Sequence, residues 1–470
     1  MVGIAACGAY IPLHRLGRQE MGKAWGIPAV PGERSVANAD EDSLTMAVTA
    51  SQECLVGQNP AEIDAVYFAT TTSPYTEKQC ASIIAAALDL RKDIFTADFT
   101  DSLRSATVAI RAARDAIESG SARSVLVAAA DCRPAEPETM WEQLLGDGAG
   151  ALLLSKDGGV TIRTAKSVSN EMLAQWRRSG DRYVRAFEPK LETEYAYVRS
   201  IAQAGKAALQ EAGVDPKDLA KAVISAGDPR SQQAAARALG VEGAQLQDTL
   251  FLMLGGLGTA QVPIMLTAVL EMAREGDKIL VANHGDGADA LVLEVARPLT
   301  PPAGKRTVQQ YLMTKKALPS YDAFVGFRQL MERERFVPKT SPVTYWRDAK
   351  MELALYGGRC RGCGIVQYPS QRVCGECNAK DEMESVKLGR KGNVFTFTLD
   401  HLVGGGYLNV PVPRLVIDLE GGGRIFLEMT DGDPKDVKIG MPVELTFRRL
   451  HEGTAFHNYY WKCQPVRVAA

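Results

Sequence analysis

The stretch NPAEIDAVYFAT, residues 59–70, is followed after a polar segment by QCASIIAAALDL (79–90) and then by SLRSATVAIRAARDAIESG (102–120). The same succession returns at DPKDLAKAVISAG (215–227), RSQQAAARALG (230–240) and GLGTAQVPIMLTAVLEMAREG (256–276). The echo runs further, because ARSVLVAAAD (122–131) leading to GDGAGALLLS (146–155) matches GDKILVANHGDGADALVLEV (276–295). Short apolar runs bounded by turn residues read as strands, and the Ala-rich segments with apolar residues three and four apart read as helices. Two copies of one strand-helix-strand-helix-strand-strand plan imply a pseudo-twofold, layered α/β structure whose equivalent helices meet near its centre.

Within this plan AVYFAT (65–70), SVLVAAA (124–130), AGALLLS (149–155), AVISAG (222–227), KILVANH (278–284) and DALVLEV (289–295) are expected strands. Helices are expected over about 42–56, 78–89, 102–118, 198–212, 231–239 and 260–275. The repeat gives two halves, 1–160 and 161–298. RPLTPPAGKR (297–306) reads as a linker, opening a charged, partly helical region over 299–355 with a proline break near 338–342. Residues 356–382 hold clustered cysteines. From 383 to 470 the pattern changes to five short strands, NVFTFTLDH, RLVIDLE, RIFLEMT, PVELTFRRL and FHNYYWKC, which suggest a small barrel of oligonucleotide/oligosaccharide-binding (OB) topology.

Composition excludes several classes. Of 470 residues 46% are hydrophobic and 23% charged, which argues against disorder or a fibrous fold. Lys plus Arg number 54 against 56 Asp plus Glu, a formal charge of -2 that gives no electrostatic case for nucleic-acid binding. The opening MVGIAACGAYIPLHRLGRQE is wrongly flanked for a secretory signal, and no run of membrane-spanning length occurs, so a cytoplasmic protein that does not engage membranes is expected.

Cys360, Cys363, Cys374 and Cys377 form CRGC, ten intervening residues, then CGEC. Two CxxC knuckles wrap one tetrahedral ion, and four thiolates select zinc in a structural role or iron in a rubredoxin-like one. The expectation is structural zinc, with iron or a redox-active arrangement as alternatives.

The duplicated plan, DFTDSLRSATVAIRAA (98–113) entering the first central helix, and LMLGGLGTAQVPIMLTAVLEMA (252–273) followed by GDGADALVLEV resemble the thiolase superfamily. Within it, the branch resembled is that of hydroxymethylglutaryl-CoA synthase. The likeness covers residues 1–298 and implies a duplicated five-layered thiolase-like fold. The C-terminal part is similar to the zinc-ribbon/OB proteins that accompany thiolase-like subunits. The resemblance also implies an acyl-CoA substrate, with coenzyme A as part of it, and a homodimer through the region around 70–100.

Members that condense acyl groups use a Cys at the head of the central helix, a partner His and, in the synthase branch, a Glu. Here those positions fall on Leu103, on Gly227 or Asp228 in ISAGDPR, and on Thr71 or Thr72 in ATTTSPY; the Asn before the second central helix falls near Met253. No Cys lies between 81 and 131 and no His between 15 and 283, so slipping the alignment restores neither. Leucine cannot attack a thioester.

Other groups carry the candidate chemistry. His284, after an apolar strand and before a glycine turn, suits proton transfer or hydrogen bonding. Asp286 and Asp289 share that turn region, and Asp101 precedes the helix it could cap. Tyr75 could act as an acid or donor, and Cys80 as a recruited nucleophile. Amides of Gly255, Gly256 and Gly285 are expected to face a developing oxyanion. Arg104, Arg230, Arg347 and Arg361 are candidate contacts for the phosphates of CoA, and the glycine run within 401–415 a candidate wall for the acyl group. Retro-aldol or aldol chemistry on a β-hydroxyacyl-CoA, a lyase activity without a covalent acyl-enzyme, is the first expectation. The alternatives are thiolase, acyltransferase or synthase-like Claisen condensation through Cys80, and a noncatalytic CoA-binding scaffold.

Overall fold

The computed structural model describes residues 1–331, 340–403, 410–452 and 456–467. Residues 404–409 of the expected acyl wall, and part of the expected proline break, lie outside the described residues. The chain divides into two compact units, Met1–Ala37 with Asp42–Ala85 and Leu90–Phe324, and Asn38–Glu41 with Ala86–Asp89 and Val325–Ala470.

The first unit is built on nine strands: β1 (Gly3–Tyr10), β2 (Ala65–Ala69), β3 (Phe95–Phe99), β4 (Ser124–Cys132), β5 (Asp147–Ser155), β6 (Val160–Ser169), β7 (Lys221–Ile224), β8 (Lys278–His284) and β9 (Gly287–Val295). They hydrogen-bond in the order β7-β8-β9-β6-β1-β5-β4-β2-β3. The repeat is visible in the pairing. β2 runs parallel to β4, which runs antiparallel to β5, and β7 runs parallel to β8, which runs antiparallel to β9. The halves join where β1 meets β6, at Gly3↔Thr161 and Ile4↔Val160.

Six helices cover the sheet: α1 (Ser43–Cys54), α2 (Ala81–Ala87), α3 (Ser105–Glu118), α4 (Arg199–Ala212), α5 (Pro229–Leu239) and α6 (Gln261–Leu270). The Asp42 carboxylate accepts from the Thr45 amide while the Thr45 hydroxyl accepts from the Asp42 amide, which closes the open first turn of α1. α3 turns Ala106, Ala109, Ile110, Ala113 and Ile117 inward, as an amphipathic helix on one sheet face does. α6 is apolar all round because it is buried nearly all round, and its Val262, Met265, Leu266 and Val269 share a core with α3. Glycine permits the closest layers. A Cβ on Gly150 of β5 would lie 2.6 Å from Pro263 Cβ, and one on Gly8 of β1 would lie 2.4 Å from the Cys54 amide nitrogen.

The second unit begins with short helices at Pro342–Arg347 and Ala349–Glu352, then a three-stranded antiparallel ribbon of β10 (Tyr356–Cys360), β11 (Val366–Gln367) and β12 (Met383–Lys387). Five strands follow, β13 (Lys391–Asp400), β14 (Val412–Leu419), β15 (Arg424–Glu428), β16 (Pro442–Glu452) and β17 (His457–Pro465), in the order β15-β14-β13-β16-β17. An isolated bridge between Met429 and Cys463 brings the outer strands together into a near-closed barrel. Its core stacks Phe447 against Tyr459 at 5.8 Å and sets it edge-on to Trp461 at 5.5 Å. Buried charges in this unit are paired. Arg448 meets Glu41 at 2.6 Å, Asp431 at 2.7 Å and Asp40 at 3.2 Å, and Lys462 meets Glu428 at 2.5 Å and Asp40 at 3.0 Å. Burial alone would push the Asp40 carboxyl up, but Lys462 and then Arg448 hold it below the usual carboxylate range. Among the described residues no helix is long and apolar enough to cross a membrane.

Candidate active site and metal centre

The head of α3 and the turn joining β8 to β9 meet at backbone contact. At Gly285 an added Cβ would lie 2.8 Å from the Arg104 amide nitrogen, 2.8 Å from Ser102 Oγ and 3.0 Å from the Leu103 amide nitrogen. The Ser102 hydroxyl donates to Asp286 Oδ2 at 2.7 Å, and Asp286 adopts a left-handed φ of 48°. One turn into the helix, Thr107 donates to Asp289 Oδ2 at 2.7 Å, while Arg104 Nη1 reaches Asp289 Oδ1 at 3.3 Å and the Val168 carbonyl at 3.2 Å. Asn283 Nδ2 lies 3.4 Å from both the Leu103 carbonyl and Thr107 Oγ1. Helix head and turn are thus tied at both ends.

His284 ends β8 within this frame. Its amide donates to Ser225 Oγ at 3.2 Å, and its ring stands at 81° to that of Tyr197, centroids 5.4 Å apart. The Tyr197 hydroxyl donates to the Ser225 carbonyl at 2.7 Å, which fixes the partner ring. Burial lowers the imidazole pKa to about 4; Asp286 opposes the shift and Arg104 adds to it. His284 Nε2 is buried and has no hydrogen-bond partner among the described residues.

The structure gathers His284, Gly285, Asp286, Asp289 and Arg104 at one place, and it corrects part of the expected oxyanion site. The Gly255 amide donates to the Phe251 carbonyl at 2.9 Å, that of Gly256 to Leu144 at 2.8 Å and that of Gly285 to Gly287 at 3.0 Å. All three hydrogens are spent inside the fold. The amides of Leu103 and Arg104, beside Gly285, have no acceptor among the described residues and sit at the positive end of α3. Asp101, at φ 75°, is exposed and accepts from the Thr100 hydroxyl at 2.9 Å. It does not cap α3, whose first turn has no side-chain cap.

The remaining candidates are elsewhere. Asp228 accepts from the amides of Arg230 and Ser231 at 2.8 and 3.0 Å and caps α5, leaving Arg230 exposed on its first turn. Arg347 pairs with Asp348 at 2.7 Å, and Arg361 with Glu384 at 3.9 Å. Tyr75 and Cys80 belong to the loop before α2. Cys80 is fully buried, its amide donates to Asp98 Oδ2 at 2.6 Å, and its Sγ lies 3.4 Å from Ser73 Oγ. Burial pushes its thiol up to about 11, with Asp98 and Asp42 adding to the rise and Ser73 opposing it. Thr71 and Thr72 are locked rather than open. Both hydroxyls donate to Asp131, at 3.1 and 2.9 Å, together with the amides of Thr71 at 2.7 Å and Thr259 at 2.8 Å. Asp131, fully buried at the end of β4, organises this loop, and its only sequence signal was a carboxylate closing the apolar run SVLVAAAD.

In the second unit the four clustered cysteines place their sulfurs within 4.8 Å of one another, with Cys360–Cys377 and Cys363–Cys374 at 3.6 Å. A tetrahedron with zinc–sulfur bonds of about 2.3 Å has edges of roughly 3.8 Å, close to the two 3.6 Å pairs, so this set suits a tetrahedral zinc.

Comparison with known proteins agrees with both units. Residues 385–448 match the family model of the ChsH2 C-terminal OB-fold domain, 347–384 that of the ChsH2 rubredoxin-like zinc ribbon domain, and 97–170 that of 3-oxoacyl-[acyl-carrier-protein] synthase III. A hydroxymethylglutaryl-CoA synthase of Thermococcus sibiricus is 30% identical over 294 residues, 61% of this chain and 84% of that protein. The chain belongs to the hydroxymethylglutaryl-CoA synthase branch of the thiolase superfamily. The Pyrococcus horikoshii member is 29% identical over 332 residues, 67% of this chain and 93% of that protein. Among solved structures, an HMG-CoA synthase complexed with CoA shares the fold, with TM-score 0.63, 18% identity, and 72% of this chain and 92% of that chain covered. So does 3-oxoacyl-[acyl-carrier-protein] synthase III from Aquifex aeolicus, with TM-score 0.57, 24% identity, and 63% and 100% covered. To this family fold the chain adds a four-cysteine structural zinc ribbon and the barrel.

Two outcomes follow from this geometry. Between about 4 and 6.5 the unfolded chain binds a proton at residue 284 that the folded chain refuses, so this residue's contribution to stability is complete above 6.5 and falls with pH through that window. The His284 ring resonances should therefore show no titration between pH 5.5 and 8, and a midpoint near 6.5 would contradict the buried, neutral imidazole. For the metal, gently purified protein should contain one zinc per chain, and chelation should expose residues 356–382 to protease before the first unit loses its circular dichroism. Less than half an equivalent of zinc, or an iron–thiolate absorption band, would overturn the assignment.

Proposed function

We propose that this chain makes or breaks the carbon–carbon bond of a β-hydroxyacyl-CoA through a thioester enolate at the head of α3. The observation that carries the reading is the meeting of two acceptor-free helix-head amides, a neutral His284 with its Nε2 buried, and the Asp286 carboxylate around Gly285. Relatives named as synthases favour the Claisen condensation through Cys80 that sequence alone held second. One solved relative is described with 3-hydroxy-3-methylglutaryl coenzyme A, itself a β-hydroxyacyl thioester. Bond making and bond cleavage at such a compound pass through the same enolate.

In the cleaving direction Asp286, held in place by the Ser102 hydroxyl, takes the β-hydroxyl proton. The Cα–Cβ electrons move onto the thioester oxygen, which the amides of Leu103 and Arg104 and the neutral His284 stabilise; Cα is then protonated. Condensation is the reverse. A histidine with a pKa of about 4 is a poor base but a suitable uncharged hydrogen-bond donor, which moves the base role from His284 to Asp286.

The second reading keeps a covalent acyl group on Cys80 and is favoured by the synthase names of the relatives. Against it, a thiol with a pKa near 11 is ionised in only about one molecule in ten thousand at pH 7. We also propose a homodimer paired through β3, an edge strand whose Phe95 is 63% exposed.

The experiment assays β-hydroxyacyl-CoA cleavage, and condensation of acyl-CoA with ketones, on wild type and three variants. His284→Ala and Asp286→Asn should each lower kcat by roughly 10²- to 10³-fold with the zinc content unchanged. Cys80→Ser should change it little. Loss of turnover in Cys80→Ser with a trapped acyl adduct on Cys80 would replace this mechanism by the covalent one, and a monomer by light scattering at micromolar concentration would remove the dimer.

A further inference from the structure

A buried amine, thiol and carboxylate meet at a place the proposed reaction does not use. Cys7 of β1 is 2% exposed. Lys305, in the segment after β9, brings Nζ to 3.7 Å from Cys7 Sγ and 3.6 Å from Glu271 Oε1, its side chain 4% exposed and that of Glu271 6%. Glu271 Oε2 accepts from the Val308 amide at 3.0 Å, but Oε1 is buried without a hydrogen-bond partner among the described residues. An ammonium offers three donors, and burying it against a sulfur and one carboxylate oxygen at ion-pair distance leaves it poorly satisfied. Anchoring of the segment does not require this contact. Arg306 already binds Glu53 through its amide at 2.9 Å and its guanidinium at 3.3 Å, and the Tyr311 hydroxyl joins Glu53 at 2.9 Å.

We propose that Cys7 Sγ and Lys305 Nζ are a modification site, joined reversibly by an N–O–S bridge formed with dioxygen. Lys305 first gives a proton to Glu271. Thiol, amine and O₂ then yield S–O–NH and one water: the S–H, one N–H and the O–O bond break, and one S–O, one N–O and two water O–H bonds form. Dioxygen accepts four electrons, two from sulfur and two from nitrogen. Four equivalents of an external thiol reverse the step, returning thiol, amine and water and leaving two disulfides. Burial pushes the Cys7 thiol up, with Lys305 opposing and Glu271 reinforcing the rise, so the sulfur enters the step as the thiol; it also pushes the Glu271 carboxyl up, so that Glu271 can hold the departing proton. A small, apolar oxidant is the kind that such a buried site would admit, where charged oxidants are excluded. The bridge would fasten β1 covalently to the segment after β9 and is independent of the carbon–carbon chemistry.

The test is a peptide map of the full zinc-loaded chain, digested without reductant after incubation in air or under anaerobic conditions. Air should give a peptide pair linking Cys7 to Lys305, heavier than the unlinked sum by about 14 Da, one oxygen gained and two hydrogens lost. Dithiothreitol should abolish it and restore tryptic cleavage after Lys305. Cys7→Ser and Lys305→Arg, the second keeping the charge facing Glu271, should each eliminate the linked pair. Aerated wild type showing only unmodified Cys7, or only its sulfenic or sulfinic acid, would overturn the proposal, as would a bridge from Cys7 to a different residue.

Discussion

At Gly285 the backbone of one half of the repeat comes so close to the helix head of the other that no side chain fits between them. Alanine there would put a methyl group within 3.0 Å of two amide nitrogens and a serine oxygen, so either the turn or the helix must retreat. The rest of the site depends on this contact. It brings Asp286 within reach of Ser102, places the acceptor-free amides of Leu103 and Arg104 beside the turn, and leaves His284 at the strand end, walled by Tyr197 and Ser225. The duplicated sheet makes the contact reproducible, because α3 belongs to the first copy of the plan and the β8–β9 turn to the second.

Charge placement follows from the same constraint. Arg104 would leave an unpaired cation at the helix head, where the helix dipole already concentrates positive potential, but Asp289 accepts from it and from Thr107 together. That pairing restrains Arg104 near its own helix and away from the role of a free phosphate ligand. It also moderates the field at His284, where burial is the leading cause of the lowered pKa and Arg104 the smaller one. A neutral imidazole beside an aspartate is maintained by burial rather than by a dedicated hydrogen bond, since Nε2 has no partner among the described residues.

Much of the architecture was legible because periodicity and punctuation agreed. AVYFAT, SVLVAAA, KILVANH and DALVLEV are strands, all five expected barrel strands form, and the spacing of Cys360, Cys363, Cys374 and Cys377 specified a tetrahedral thiolate set. Other strands escaped notice for physical reasons. GIAACGAY in β1 is covered on both faces, with Gly8 against α1, so it shows neither alternation nor bulky β-formers. The later residues of β6, TAKSVS, are polar enough to pass for a loop, and β3 is only five residues long. At the site, residue identity singled out His284, Asp286 and Leu103, and the fold brings all three to the contact at Gly285. Which amides were free could not be read that way. The hydrogens of Gly255, Gly256 and Gly285 are spent on carbonyls chosen by local turns and, for Gly256, by tertiary packing against Leu144.

In the proposed reading, Leu103 at the helix head separates two requirements of thioester chemistry. Holding an acyl group covalently requires a side-chain nucleophile, whereas stabilising a thioester enolate requires donors fixed in position before charge develops. The helix-head donors are peptide groups and survive any substitution of the side chain they carry. On that reading a leucine there supplies no acyl acceptor while the amides beside Gly285 stay in place, and the proposed base, Asp286, comes from the second repeat. Asp286 sits on the very turn whose tightness depends on glycine, so the carboxylate and the donors are positioned by one contact. In the proposed reading, that coupling is what would let this fold support a thioester enolate with leucine at residue 103.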